Sequence, residues 1–98
     1  MAEQPEFDLR DNPDESRYEL RVGGEVAGFA SYKDHEGVRV MPHTVVYPKY
    51  RGQGLSKPLI AFALDDVSSR GLRVTPACSA VERFIEQNPD YQSLVSAD

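Results

Sequence analysis

Hydrophobic and polar residues alternate along the first half of the chain and recur at helical spacing along the second. In "EFDLRDN" Phe7 and Leu9 alternate with polar neighbours, and in "RYELRV" Tyr18, Leu20 and Val22 alternate with Arg17, Glu19 and Arg21. Period two marks a half-buried strand. "NPDES" between the two runs reads as a turn, and Gly23-Gly24 links the second strand to a third, "EVAGFASYK", as a two-residue hairpin. "DHEG" turns the chain again into a fourth strand, "VRVMPHTVV". Pro42 within it has no N–H for a ladder, so an edge or bulge is expected there, with a bend near His43.

Between residues 55 and 70, Leu59, Ile60, Ala63, Leu64 and Val67 recur at helical spacing, and Gly71 follows where a helix C-cap would sit. "LRVT" is a short fifth strand. A helix separates it from the fourth, which predicts a parallel pair joined by a right-handed crossover. Ser79 and Glu82 in "SAVE" match a capping box opening a second helix with Val81, Phe84 and Ile85 on its apolar side; Pro89 ends it, and "PDYQSLV" adds a short helical turn. The expected fold is α+β: a mixed, mostly antiparallel sheet with parallel fourth and fifth strands, packed against two helices in one domain over residues 1–98.

Charge changes this picture more than size does. The 98 residues carry 11 Lys and Arg against 16 Asp and Glu, a net charge of −5, which argues against nucleic acid or an anionic membrane as partner. Yet residues 37–64 contain no acid and hold Arg39, Lys49, Arg51 and Lys57, a local basic patch suited to a small anion. Cys78 is the single cysteine, so no internal disulfide forms, and no signal peptide or membrane-length apolar run is visible. A cytoplasmic monomer is the expectation. Asp34, His35 and Glu36 read as a hairpin turn rather than metal ligands, and no other cluster has ligand spacing, so no metal is expected.

The stretch "VVYPKYRGQGLSKPL" concentrates the chemistry. Pro58 is tolerated only in the first turn of a helix, which starts the long helix near Gly54 or Leu55. Backbone N–H groups there have no helical partner and lie at the positive end of the helix dipole. Gly52 and Gly54 leave that backbone bare, and Arg51 adds a fork of donors: a phosphate cradle, with an ordinary glycine-rich turn as the other reading. The spacing fits neither a P-loop nor a dinucleotide fingerprint.

The same stretch resembles the pyrophosphate loop of the GNAT superfamily of N-acetyltransferases, whose pattern is Arg or Gln, two residues, Gly, one residue, then Gly or Ala. Arg51, Gly54 and Ser56 occupy those places, the serine being a departure. With "PHTVV" before the loop and "GLRVTPACSAVERFIEQNPDY" after it, the chain resembles the minimal single-domain branch from Arg17 onward. The resemblance implies acetyl-CoA as co-substrate, its pyrophosphate on Arg51, Gly52, Gln53, Gly54, Leu55 and Ser56. It further implies backbone groups of Thr44, Val45 and Val46 along the acyl arm, between splayed fourth and fifth strands. Larger relatives insert acceptor-binding helices between the first two strands, where residues 12–16 alone stand here.

Acyl transfer to an amine needs a base, since an alkylammonium with a pKa near 10.4 has no lone pair at neutral pH. His43 has the right basicity; a histidine filling a strand face is the alternative. Cys78 precedes a helix, where the dipole favours thiolate, and the resemblance places a cysteine here at the coenzyme thiol; a small buried hydrophobe is the alternative. Tyr50 and Tyr91 read as packing residues. The sequence thus points to an acetyl-CoA-dependent N-acetyltransferase acting on a small amine or a protein amine, with Cys78 as nucleophile or acyl carrier. A non-catalytic acyl-CoA-binding module is the alternative.

Overall fold

The computed structural model describes residues 6–96. Strands β1 (Phe7–Asn12), β2 (Arg17–Val22) and β3 (Glu25–Ser31) form an antiparallel meander. Its second turn is carried by Gly23 and Gly24 at φ 58° and 85°, the left-handed pair that a two-residue hairpin demands. β3 ends earlier than the alternation predicts. Tyr32 breaks the strand, and β4 (Lys33–His35) pairs instead with β5 (Val38–Val40). The predicted "DHEG" turn shrinks to Glu36 and Gly37, both at positive φ, because Asp34 sits opposite Arg39 in the hairpin and is held there by it.

The predicted fourth strand is two strands. β5 runs parallel to β7 (Arg73–Thr75), whereas β6 (Thr44–Val46) pairs antiparallel with β3, giving sheets of order β1-β2-β3-β6 and β4-β5-β7. The last bond between β5 and β7 layers is Met41 N–H to Thr75 O, 3.0 Å. Beyond it Ala77 N–H, the next amide on the ladder side of β7, turns back to Thr75 O at 3.0 Å, and Pro42 and Pro76 stand on the two arms. The parallel pair therefore exists only in its first half, and beyond it β6 and the segment after β7 diverge.

Helix α1 (Ser56–Ser69) has Leu55 as N-cap and Pro58 in its first turn. It ends where Gly71, at φ 70°, takes the left-handed conformation: Leu72 N–H bonds Val67 O and Gly71 N–H bonds Ser68 O. Helix α2 (Ser79–Gln87) differs from the capping-box expectation, since Cys78 is its N-cap and Ser79 its first helical residue. Glu82 N–H bonds Cys78 O. A 3₁₀ helix over Pro89–Leu94 follows, longer than the single turn expected.

Tyr18, Leu20, Met41, Leu59, Ile60, Leu64, Val74, Val81 and Ile85 share one buried cluster, which puts both helices on the same side of the strands. The alternate residues Phe29, Val45 and Tyr47 stay outside that cluster. The protein is thus two layers, with one face of the four-stranded sheet bare.

Candidate active site

The divergence of β6 from β7 leaves one edge of β6 free. Ser31 N–H bonds His43 O and Tyr47 N–H bonds Ala27 O, each at 2.9 Å. The alternation of an antiparallel ladder therefore turns Val45 toward β3 and the backbone groups of Thr44 and Val46 outward. Gly28 makes the close pairing possible, because a Cβ there would lie 2.7 Å from Val45 O.

The chain leaves β6 through a 3₁₀ turn (Pro48–Tyr50) and enters the loop before α1. Gly52 and Gly54 adopt φ of 84° and 70°, a region other residues reach only with strain. Leu55 plugs the loop into the core, 4% exposed. Among the described residues, no hydrogen bond is donated by the amides of Gly52, Gln53, Gly54, Leu55 or Ser56. Arg51 Nε donates to the outward Val46 O at 3.1 Å, which fixes the stem of the guanidinium and leaves its terminal nitrogens for an anion. Unpaired amides, a helix N-terminus and a preset fork suit a diphosphate. Along the groove between α1 and α2 run two adjoining cavities of about 490 and 330 Å³, flanked by Lys57, Phe84 and Arg83.

Across the gap from Thr44 stands Cys78, whose Sγ is 3.6 Å from Thr44 Oγ1. Burial opposes ionisation of the thiol, but the Thr44 hydroxyl, the amides of Ala80 and Val81 at the start of α2 and the Thr44 backbone together pull its pKa below the ordinary thiol value. Cys78 is partly accessible. His43 is exposed rather than buried in the strand face, and alternation places it on the side of the sheet opposite Thr44. The two catalytic candidates thus flank the gap from different faces.

Other residues of the basic patch are committed elsewhere. Arg39 is buried: its Nε and Nη2 bond both Asp34 oxygens at 2.7 and 2.8 Å, its Nη1 donates to the Tyr18 hydroxyl at 2.6 Å, and its guanidinium lies 3.8 Å over the Tyr32 ring. Tyr18 donates in turn to Asp66 at 2.7 Å. Arg39 therefore joins the hairpin β4–β5 to β2 and α1 and is no anion ligand. Lys49 Nζ and the Tyr50 hydroxyl both donate to Glu25 Oε2, at 3.3 and 2.8 Å. Tyr91 donates to Asp65 at 2.9 Å and packs on Phe84, the packing role expected of it. Arg51 and Lys57 remain, joined by Arg83, which sequence reasoning missed because only the packing of α2 beside α1 brings it near. Glu19 was missed as well: it is 1% exposed, between Arg17 and Arg21, and its one legible signal is that all three share a strand face.

Among the described residues, no cluster of His, Cys, Asp and Glu could hold a metal ion, and no helix is long and apolar enough to cross a membrane.

A splayed mixed sheet whose gap leads into an amide-lined helix entrance defines an acetyltransferase architecture of the GNAT type. The sequence profile described as GCN5-related N-acetyl-transferase matches residues 17–94, and the chain belongs to that family. The Bos taurus protein NATD1 is 36% identical over 63 residues, covering 62% of this chain and 56% of that protein, so the chain spans little more than half the length of the curated relatives it matches. In fold, it is similar to a GCN5-like protein from Staphylococcus aureus, with a TM-score of 0.70 and 18% identity over 91% of this chain and 87% of that one. The ribosomal-protein alanine N-acetyltransferase of Escherichia coli aligns with a TM-score of 0.61 and 22% identity over 74% of this chain and 50% of that one.

Proposed function

We propose that this chain transfers an acetyl group from acetyl-CoA to an amine. The observation that carries the reading is the run of unpaired amides from Gly52 to Ser56 beside the Arg51 fork, in a chain of this family. Acetyl-CoA is a substrate here: its diphosphate would take those amides, and its acyl arm the free edge of β6. The outward N–H groups of Thr44 and Val46 are donors for the thioester oxygen as it gains charge.

Cys78 serves as nucleophile. Its thiolate attacks the carbonyl carbon, a carbon–sulfur bond to Cys78 forms as the bond to coenzyme A breaks, and coenzyme A leaves as a thiol after taking a proton from solvent. The amine, as its free base, then attacks the acetyl-cysteine and gives its proton to His43, and the Cys78 thiolate is released as the amide forms. The test is titration with acetyl-CoA followed by incubation with a panel of amines and lysine peptides while free thiol is measured. Cys78→Ala should bind coenzyme and lose transfer, and Arg51→Glu should lose coenzyme affinity while keeping the fold. Binding without thiol release above hydrolysis would instead mark a non-catalytic acyl-CoA-binding module.

A further inference from the structure

The bare sheet face carries a charge arrangement that the transfer chemistry leaves unused. Glu19 on β2 accepts from Arg17 Nε at 2.8 Å, Arg21 Nη2 at 2.9 Å and Nε at 3.3 Å, and Asn12 Nδ2 at 3.1 Å. It is 1% exposed, although no helix covers it. Its partners offset the cost of burying the carboxylate. The arrangement also fixes orientation. Arg17 is held by Nε alone and Arg21 by Nε and Nη2, while Nη1 and Nη2 of Arg17 and Nη1 of Arg21 have no partner among the described residues. Arg17 is held a second way, its guanidinium carbon 4.8 Å over the Phe29 ring. Its side chain is 25% exposed.

Position relative to the gap gives this fork a use. Arg17 stands opposite Ser31, and Ser31 N–H bonds His43 O at 2.9 Å. Two strand spacings, about 10 Å, thus separate Arg17 from His43 along one row of the bare face. On the other side of the sheet the gap is walled by α1 and α2, and the Cys78 end of the acyl arm arrives from there. The bare face is the side on which neither helix stands in the way of a second substrate.

Resting on the acetyl-transfer reading above, we infer that Arg17, with Arg21 beside it and Glu19 as its positioning residue, binds a carboxylate of the amine acceptor and directs the amine toward the gap between His43 and Cys78. The cluster of two guanidiniums and one carboxylate has one residual positive charge, matched to a monoanion. A planar fork reads a carboxylate through two parallel hydrogen bonds. The spacing favours an acceptor whose amine and carboxylate stand several bonds apart.

The test uses chain-matched amines that differ only in the carboxylate: 6-aminohexanoate against n-hexylamine, and 4-aminobutyrate against n-butylamine, with acetyl-CoA and mass-spectrometric detection of the acetylated product. One charge-assisted pair predicts a preference in kcat/KM of about tenfold or more for the longer carboxylate. Arg17→Gln should bring that ratio close to one, and Arg17→Lys should restore part of it. A ratio near one in the unaltered protein, or an unchanged ratio in Arg17→Gln, overturns the inference while leaving the transfer reading standing. Independently of turnover, 6-acetamidohexanoate titrated into the coenzyme-bound protein should shift the Arg17 Nε–Hε resonance. A shift in a protein that acetylates none of these amines supports the carboxylate site and counts against the transfer reading; no shift overturns the site.

Discussion

Cys78 Sγ lies 3.6 Å from Thr44 Oγ1, a polar contact that spans the opened part of the sheet. The thiol donates to the hydroxyl; once ionised, it accepts from it. Thr44→Val removes that donor at little change in volume, so the thiol pKa should rise, whereas Thr44→Ser should hold it. The pH dependence of iodoacetamide alkylation measures this directly. An inflection that stays in place in Thr44→Val would show that the backbone amides of Thr44, Ala80 and Val81 act without the hydroxyl.

Glu19 predicts an acid-side loss of stability. Burial raises its pKa, but bonds from Arg21, Arg17 and Asn12 more than reverse that and pull it down from 4.5 to about 2. Because the folded-state value is the lower one, the stabilisation is full above the unfolded value and is lost as pH falls from about 4.5 toward 2. The shift corresponds to about 3 kcal/mol. Urea unfolding across that range should show the slope, and Glu19→Gln should flatten it while lowering stability at neutral pH.

Gly28→Ala should loosen β6. The added carbon would meet a backbone oxygen at 2.7 Å, and backbone yields less readily than a side-chain tip. A cost of about 1–3 kcal/mol is expected from such overpacking. Since the displaced strand carries Thr44 and Val46, acetyl-CoA affinity should fall with it, measurable by calorimetric titration.

Arg39→Met should destabilise without touching the phosphate loop. It would leave Asp34, Asp66 and the Tyr18 hydroxyl without their shared donor, and stripping partly buried acceptors of their donor costs about 1–3 kcal/mol. The midpoint of urea unfolding should drop, with the coenzyme dissociation constant retained in the fraction that stays folded. A matching loss of affinity would put Arg39 back among the anion ligands.

The parts of this fold set by local rules were legible before any coordinates: the Gly23-Gly24 hairpin, the apolar stripe of α1, its stop at Gly71, and the loop glycines at positive φ. Pro42 announced a break in the fourth strand. What it could not announce was which neighbour each half would choose, because that depends on Gly28 admitting β6 against β3 and on β7 returning beside β5. Charged residues were the harder part. Arg39 and Arg51 look alike in a list of basic positions, yet one is sealed beneath two tyrosine rings and the other stands at the loop. Asp34, five positions from Arg39, is its one partner near in sequence; Tyr18 and Asp66, which seal it in, are 21 and 27 positions away and have no local cue. Cys78 as the α2 cap was hidden by a better-known motif one residue on.

The end of the parallel ladder at Met41 and Thr75 has a thermodynamic consequence. A sheet held shut by ordinary ladder bonds would have to be unzipped before any acyl chain slid in, and every such bond broken would weaken the complex. With Ala77 N–H already turned onto Thr75 O, that ladder bond was never there to break. The slot is built into the free protein, bridged there by the weak Cys78–Thr44 contact rather than by ladder bonds.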